Sequence, residues 1–252
     1  MKFQLTPAID LHTHLNHGSP YDTKVSESHH TDLPFLQMQY ESLNIVCGGF
    51  STFASLLSDK EILEENDYLE KVARENDSVY QWVVIDPRQD ETFRQADRIL
   101  RTDKCLGIKI HPSCHGYDIN EYADKLFGYA HEKNAWVLMH PQINETMPNF
   151  ANKYPHMNLI LAHLSVPSQI RAVLEAKHGN IYVDTSGSAS NQNNIIELGV
   201  EKIGAERIFF GTDTYSGAFQ RGRIEFARIA DEDKEKILYQ NAKTHFGHII
   251  RF

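Results

Sequence analysis

Short apolar runs alternate along most of the chain with longer segments in which apolar residues recur at helical spacing. The runs predict eight strands, at residues 3–12, 44–50, 80–86, 105–111, 135–140, 158–163, 180–185 and 207–213. Most of them are apolar at nearly every position, which is typical of strands buried on both faces of a parallel sheet. Pro87, Pro112 and Pro141 follow the third, fourth and fifth runs and mark where the chain leaves regular structure.

The segments between the runs predict helices. Helical spacing is clearest at residues 60–78, 90–103, 120–134, 167–180 and 231–247. Eight strands with helices between them predict one (β/α)8 TIM barrel that occupies residues 1–252 as a single domain. An open doubly wound sheet is the alternative, but no Gly-x-Gly-x-x-Gly sequence follows the first strand, which disfavours it.

Residues 16–39 form the longest stretch that shows neither pattern. The stretch follows the first strand, and the loops after barrel strands lie at the carboxyl end of the barrel. We therefore expect residues 16–39 to cover that end as a lid or rim.

Several histidines fall at the ends of the predicted strands, which meet at one mouth in a barrel. The side chains at these ends include His12, His14, His111, His140, His163 and Asp213. Imidazole and carboxylate groups are ligands for Zn²⁺, Mn²⁺ and Fe²⁺. A single histidine at a strand end is more often a hydrogen-bonded surface residue, and an aspartate alone is often a helix cap. The joint pattern on strands one, five, six and eight is what predicts a site for a divalent metal ion.

The alternation of side chains along a strand predicts which residues face the mouth. His12 and His14 share one face, so both can point into the mouth, while Leu11 and Thr13 are expected to face the helices. By the same rule Lys109 lies on the inward face of the fourth strand, as does His111.

The strand-end motifs resemble those of the amidohydrolase superfamily. The resemblance is carried by IDLHTHL, GIKIHP, VLMHPQ, LILAHLS, IYVDTSG and RIFFGTDT, in that order, and by the closing segment KILYQNAKTHFG. Within the superfamily the chain is similar to the amidohydrolase-related branch that also contains aminocarboxymuconate-semialdehyde decarboxylase. The resemblance spans nearly the whole chain and implies a metal-dependent TIM barrel.

The resemblance also implies roles for individual residues. It identifies His12 and His14 as the paired metal ligands of the first strand and His140 as the ligand of the fifth. Asp213 is implied to bind the metal ion and to handle a proton. His163 is implied to bind a second ion, or to orient water or substrate.

Lys109 has three interpretations. In family members with two metal ions a lysine of the fourth strand is carboxylated and bridges them. Lys109 could equally be a plain cation for an anionic substrate, or the buried partner of Asp10. We expect Lys109 and His111 to contact the substrate. Zinc is the expected metal, with manganese or iron as alternatives and with one or two ions.

This site predicts hydrolysis of a small ester, lactone or amide by a metal-activated water. The alternative is a non-oxidative decarboxylase of a small carboxylated substrate, for which Arg88, Arg221 and Arg223 are further candidate carboxylate-binding residues. For the two later arginines, solvated surface charge is the more ordinary interpretation. A phosphoesterase or nuclease barrel is disfavoured, because it would need concentrated positive charge and the net charge is −9.

The remaining features predict the surroundings. Asp86 and Asp184 are expected to cap backbone or to orient metal ligands, and Cys114 is expected to be a structural thiol. Three cysteines, no signal-peptide pattern and no apolar stretch of membrane-spanning length predict a soluble, cytoplasmic protein. The expected partner is a small-molecule substrate, with no nucleic acid and no membrane, and the resemblance implies a homo-oligomer.

Overall fold

A computed structural model describes residues 5–18 and 31–251 and shows eight parallel strands that pair in the order of the sequence. The strands are β1 (Ala8–Leu15), β2 (Ile45–Thr52), β3 (Val79–Val84), β4 (Cys105–Ile110), β5 (Trp136–Met139), β6 (Asn158–Leu161), β7 (Ile181–Asp184) and β8 (Ile208–Phe209). The central strands are buried on both faces, which explains their nearly continuous apolar sequences.

Backbone hydrogen bonds between β1 and the segment after β8 close the sheet into a barrel. The amide of Leu11 donates to the carbonyl of Phe210 at 3.0 Å, and the amides of Thr212 and Asp213 donate to the carbonyl of His12 at 3.1 and 2.7 Å. These bonds continue beyond the two residues of β8 and bring Asp213 beside the first strand. The predicted (β/α)8 TIM barrel is therefore confirmed.

Helices surround the barrel. They are α1 (Leu33–Ser42), α2 (Phe53–Leu57), α3 (Ile62–Glu75), α4 (Asp90–Ile99), α5 (Pro112–His115), α6 (Ile119–Glu132), α7 (Met147–Lys153), α8 (Pro167–Glu175), α9 (Ile195–Ile203), α10 (Gly217–Glu225), α11 (Asp231–Glu235) and α12 (Asn241–Phe246). The five predicted helices correspond to α3, α4, α6, α8 and the pair α11 and α12. A π-helical turn at Lys236–Gln240 joins this last pair, so the predicted single helix at 231–247 contains a change of helix type.

The apolar residues form two main layers. One layer packs the outer face of the strands against the helices, and the other fills the barrel interior. In the interior the rings of Trp82 and Trp136 lie 5.9 and 4.8 Å from that of Phe246, in the last helix α12. This aromatic packing fills the barrel interior, and the predicted site residues lie around a cavity where the strands end.

A bulge in β1 overturns one predicted side-chain orientation. Asp10 pairs with Gly48 and Thr13 pairs with Phe50, so three steps along β1 face two steps along β2. The extra residue interrupts the alternation, and Leu11 lies in the interior cluster rather than against the helices. His12 and His14 nevertheless both reach the barrel mouth, as expected.

Other predicted boundaries also differ. The first strand extends from Ala8 to Leu15, so residues 5–7 of the predicted run precede it, and residues 3–4 lie outside the described part of the chain. Residues 33–39 of the predicted irregular stretch belong to helix α1, in which Leu36 and Tyr40 are buried. Of the expected lid over 16–39, residues 19–30 lie outside the described part of the chain. None of the helices in the described ranges is long and apolar enough to cross a membrane.

A candidate metal centre at the barrel mouth

The predicted site residues line one cavity of about 200 Å³ at the carboxyl end of the strands. The lining residues are His12, His14, Phe53, Leu56, Leu57, Lys109, His111, Cys114, His140, His163, Asp213 and Tyr215. Each of the seven predicted site residues is among them. The convergence expected from the strand ends is thus present in the structure.

The first-strand histidines meet the eighth-strand aspartate. His14 Nε2 lies 2.9 Å from Asp213 Oδ1, and His12 Nε2 lies 3.6 Å from the same oxygen. These three residues form a group whose ligand atoms all lie within 4.8 Å of one another. Asp213 is 16% exposed, so its carboxylate is accessible from the cavity while both imidazoles are buried.

Hydrogen bonds to the Nδ1 atoms fix which nitrogen of each imidazole faces the centre. His12 Nδ1 lies 2.9 Å from Asp184 Oδ2, and His14 Nδ1 lies 3.0 Å from Ser51 Oγ. A carboxylate only accepts, so His12 carries its proton on Nδ1 and its Nε2 lone pair faces the cavity. The Ser51 hydroxyl can donate to His14 Nδ1, which leaves His14 Nε2–H to donate to Asp213 Oδ1 until a bound cation replaces that proton. Carboxylates and hydroxyls that orient imidazole ligands in this way are typical of metal sites. Asp184 therefore occupies the orienting position that its place at the end of β7 predicted.

His163 joins this arrangement from β6. Its Nε2 lies 3.9 Å from Asp213 Oδ2, and its Nδ1 lies 3.1 Å from the carbonyl of Ser186. Its backbone amide donates to Asp184 Oδ1 at 3.0 Å. His12, His163 and Asp184 form a second group with ligand atoms within 4.8 Å of one another. The two groups share His12, whose Nδ1 faces Asp184 in this group and whose Nε2 faces Asp213 in the other.

The protonation states suit metal binding. Burial, helped by the Lys109 charge, lowers the pKa of His12 to about 3, and burial lowers the pKa of His14 as well. Burial would raise the pKa of Asp213, but the hydrogen bond with His14 and the neighbouring imidazoles outweigh it and hold that pKa well below its usual range. Neutral imidazoles and an ionised carboxylate are the forms that coordinate a cation.

Lys109 is fully buried at the base of the cavity. Its Nζ donates to His12 Nε2 over 2.7 Å. Burial lowers the pKa of Lys109 to about 8, while the charges of Asp213 and Asp184 act to raise it. Asp10 is not its partner, because that carboxylate faces outward and accepts hydrogen bonds from Tyr40 and Thr212. The interpretation of Lys109 as a partner of Asp10 is therefore wrong.

His111 and His140 lie face to face on the cavity wall. Their ring centroids are 4.1 Å apart and their planes differ by 17°. Burial lowers the pKa of His140 to about 4 and that of His111 still further, so both rings are neutral at pH 7. In the described part of the chain, His140 belongs to neither of the close ligand groups formed around His12. Its buried Nδ1 has no hydrogen-bond partner among the described residues, so that nitrogen remains available as a ligand.

An apolar wall faces the imidazoles. Phe53, Leu56 and Leu57 come from the short helix α2, and the Phe53 ring lies 5.0 Å from that of His14. Tyr215 lines the cavity near its rim and is 41% exposed. The imidazole side of the cavity can therefore hold a charged or polar group of a ligand, while the α2 side contacts the apolar part of the same ligand.

Two site residues occupy an unusual backbone conformation. His163 and Asp213 have φ angles of 61° and 55°, in the left-handed region that non-glycine residues seldom adopt. Gly187 lies against both, since a Cβ there would come within 2.7 Å of His163 Nδ1 and 2.8 Å of Asp213 Oδ2. Such conformations cluster at functional sites, because the surrounding structure must hold them in place.

The candidate arginines lie outside the cavity lining. Arg88 binds Asp86 at 2.5 Å and the carbonyl of His115 at 2.8 Å. Arg221 is buried and donates to the carbonyl of Leu43 at 2.7 Å. Arg223 donates to Ser190 Oγ at 2.7 Å. The surface-charge interpretation of the two later arginines is also wrong, because both hold backbone and loop groups together.

Several contributing residues escaped the sequence analysis. Ser51, Ser186 and Gly187 lie beside the ligands, and α2 supplies the apolar wall. The serines fall in GGFST and DTSG, at or just after a strand, which is the one signal that could have indicated them. A helix of five residues is too short to show a helical period.

The sequence of the chain also matches a known family. The amidohydrolase family model matches residues 9–247. The chain belongs to the amidohydrolase family. This amidohydrolase is accordingly an enzyme, and the resemblance seen in its strand-end motifs is confirmed. No curated protein matches the chain.

Solved structures share the barrel at low sequence identity. A dihydroxybenzoic acid decarboxylase from Polaromonas, solved with manganese and the inhibitor 2-nitroresorcinol, has a TM-score of 0.79 at 15% identity over 96% of this chain and 97% of that one. A 5-carboxyvanillate decarboxylase from Sphingomonas paucimobilis has a TM-score of 0.78 at 11% identity, covering 96% and 99%. A 2,6-dihydroxybenzoate decarboxylase from Rhizobium has a TM-score of 0.75 at 15% identity, covering 97% and 99%.

Proposed function

We propose that this amidohydrolase is a metal-dependent, non-oxidative decarboxylase of a small carboxylated substrate. The observation that carries the proposal is Lys109, a fully buried cation at the base of a small cavity beside the His12, His14 and Asp213 group. A buried ammonium requires an anionic partner, and a substrate carboxylate supplies one. The names of the structural neighbours support the same choice, so we place decarboxylation ahead of the hydrolysis that we first expected.

A divalent metal ion fits the donor set. His12, His14 and Asp213 would hold it, with His140 or His163 completing the set. When bound, such an ion acts as a Lewis acid that draws electron density from a substrate oxygen. Manganese and zinc both accept these ligands, and the manganese of the Polaromonas enzyme favours manganese.

The cavity sets the size and shape of the substrate. At about 200 Å³ it is smaller than the roughly 300–1,000 Å³ of common ligand pockets, which favours a molecule of about one ring. Lys109 would bind the carboxylate, and Phe53 and Leu56 would pack against the carbon skeleton and exclude water. Exclusion of water strengthens the interaction of Lys109 with the carboxylate.

The proton that replaces the carboxylate needs a carrier. In decarboxylation the bond to the carboxylate carbon breaks, carbon dioxide leaves, and the electron pair left on the substrate carbon takes up a proton. His163 Nε2 and Asp213 Oδ2 face each other at 3.9 Å, a distance that a substrate hydroxyl or a water can bridge. We assign to this pair the transfer of the proton to carbon.

Hydrolysis of an ester, lactone or amide is the second candidate. The ionised Asp213 carboxylate, accessible from the cavity, favours it, because that group can accept a proton from an attacking water. A panel of hydroxybenzoates, other small carboxylic acids, lactones and amides, offered to the metal-loaded protein, separates the two. We expect consumption of carboxylated substrates with loss of carbon dioxide. Turnover confined to uncharged lactones or amides would overturn the decarboxylase proposal.

Lys109→Met tests the carboxylate-binding role directly. The variant keeps the length of the side chain and removes its charge. We expect KM for a carboxylated substrate to rise about 10- to 100-fold, since a charged hydrogen bond contributes about 1.5–3 kcal/mol. Lys177→Met, at an exposed surface position, is the matched control. An unchanged KM with full metal content would contradict the assignment.

The surroundings of the enzyme are part of the proposal. None of the three cysteines, all within the described ranges, forms a disulfide, which supports a reducing compartment such as the cytoplasm. Homo-oligomerisation and carboxylation of Lys109 stay predictions, which light scattering and intact-mass measurement of the purified protein would check.

A further inference from the structure

The imidazoles around the cavity are held in two different ways. His12, His14 and His163 each have an oxygen within hydrogen-bond distance of Nδ1, on Asp184, Ser51 and Ser186 respectively. Such a bond fixes both the orientation of the ring and the nitrogen that faces the centre.

His140 is the exception. The described residues offer no hydrogen bond to its buried Nδ1, the nitrogen available as a ligand, and none to its Nε2, the nitrogen that would orient the ring. Its ring is instead held between two others. His111 stacks flat on it at 4.1 Å and 17°, and His163 meets it edge-on at 5.1 Å and 68°. Packing against these two rings therefore fixes the orientation of the His140 ring, as a hydrogen bond does for the other three imidazoles.

His111 is itself anchored, so it can serve as a fixed surface. The amide of Cys114 donates to His111 Nδ1 at 3.2 Å, which makes His111 the cap of helix α5. The sheet aligns the two rings, because Ile110 pairs with Met139 and the amide of His140 donates to the carbonyl of Ile110 at 3.1 Å. The stack thus follows from the register of β4 and β5.

We propose that His111 is a positioning residue whose flat ring holds the metal ligand His140 in place. The inference rests on the metal centre of the proposed function. It replaces the expectation that His111 serves to contact substrate. Without the stack, the His140 side chain would have no hydrogen bond to limit rotation of its ring, and the ligand set would lose one preorganised member.

Three substitutions of His111 distinguish the contribution of its flat ring to metal affinity from the contribution of its nitrogen atoms. His111→Ala removes the ring, His111→Leu keeps bulk without a flat face, and His111→Phe keeps a flat face without nitrogen. Affinity for Mn²⁺ or Zn²⁺ alone is measured by competition with a chelating fluorophore, which requires no substrate. We expect the alanine and leucine variants to bind about tenfold more weakly or worse, in the range found when groups that orient metal ligands are removed. The phenylalanine variant should stay within about threefold of the wild type.

A stacked histidine pair outside the cavity lining supplies the control. His131 and His156 stack at 4.4 Å and 29°, away from the cavity lining, and His156 is exposed. His156→Ala should leave metal affinity unchanged. Circular dichroism and thermal unfolding check each fold, and if the alanine variant does not fold, the comparison of leucine with phenylalanine carries the test.

Three results would overturn the inference. Equal affinity in the wild type and in the alanine and leucine variants would show that the stack does not position His140. Equal weakening in the phenylalanine and alanine variants would assign the effect to the nitrogen atoms. A rise in KM for all three variants with metal affinity retained would restore a substrate-binding role. Absence of metal binding by the wild type is distinguishable from these results, because it would remove the metal centre of the proposed function as well.

Discussion

At the scale of single residues, His12 is constrained on both nitrogens. Its Nδ1 faces Asp184 at 2.9 Å, while its Nε2 faces Lys109 at 2.7 Å and Asp213 at 3.6 Å. Asp184 also accepts hydrogen bonds from the amides of His163 and Ser186. One buried carboxylate therefore orients the His12 ring and the backbone that carries His163.

Asp184→Asn is expected to weaken metal binding without removing a ligand of the proposed centre. The substitution removes the negative charge that selects the Nδ1–H form of His12, so affinity should fall about 10- to 100-fold. Asp86→Asn is the matched control, because Asp86 is equally buried and follows β3 but binds Arg88. Titration with Mn²⁺ measures both variants. Equal metal affinities for Asp184→Asn and the wild type would show that Asp184 does not contribute to metal binding.

The identities of the predicted site residues could be read from the sequence, while their supporting contacts could not. His12, His140 and Asp213 each end or follow an apolar run, and the barrel topology brings such positions together. The Ser186 contact depends on the turn after β7, where Gly187 has φ of 75°. Nothing in a strand period encodes the path of such a turn.

At the scale of elements, the loops after β6 and β8 place His163 and Asp213 in left-handed conformations. Gly187, after β7, lies between them and leaves room for both side chains. The loops after β6, β7 and β8 therefore pack closely against one another beside the candidate metal centre.

Gly187→Ala tests this fit against a matched control. Gly116, at the end of α5, also has a positive φ of 72°, but an added Cβ would meet nothing within 4 Å. Both alanine variants should lose about 1 kcal/mol of stability from the backbone conformation. Only Gly187→Ala should also lose metal affinity and turnover, because its Cβ would displace His163 or Asp213. Similar turnover in the two variants would show that the centre tolerates this displacement.

The strands were easier to predict than the helices for a physical reason. Strands such as β3 and β4 are buried on both faces, so their apolar runs stand out. Helices α2, α5 and α7 are four to seven residues long and show less than two turns of periodicity. The bulge in β1 leaves no mark in the sequence, because Leu11 is apolar on either face.

At the scale of the whole molecule, buried charge links stability to pH. Burial would raise the pKa of Asp86, but hydrogen bonds from Arg88 and its charge outweigh this effect and lower it. The folded state therefore binds fewer protons than the unfolded chain near this pKa. The resulting stability is present at neutral pH and is lost as the pH falls from about 4 through the lowered value.

Asp86→Asn should be less stable than the wild type at pH 7, and the difference should shrink as the pH falls toward 3. Urea unfolding at several pH values measures the free energy of unfolding of both proteins. Glu201→Gln, an exposed carboxylate variant, is the control and should follow the wild type throughout. A constant difference between Asp86→Asn and the wild type across this range would show that the ionisation of Asp86 does not contribute.

The central claim is that a divalent metal ion held at the barrel mouth supports decarboxylation. The most direct measurement is the release of labelled carbon dioxide from small aromatic acids carrying ¹³C in the carboxylate. It is made with metal-loaded protein, with chelator-stripped protein, with stripped protein after metal is restored, and with Asp213→Asn. We expect release from the loaded and restored protein, and a loss of about 100-fold or more in the stripped protein and the variant. Release that is equal in stripped and loaded protein, or turnover of the panel only by hydrolysis with the label retained, would contradict the account.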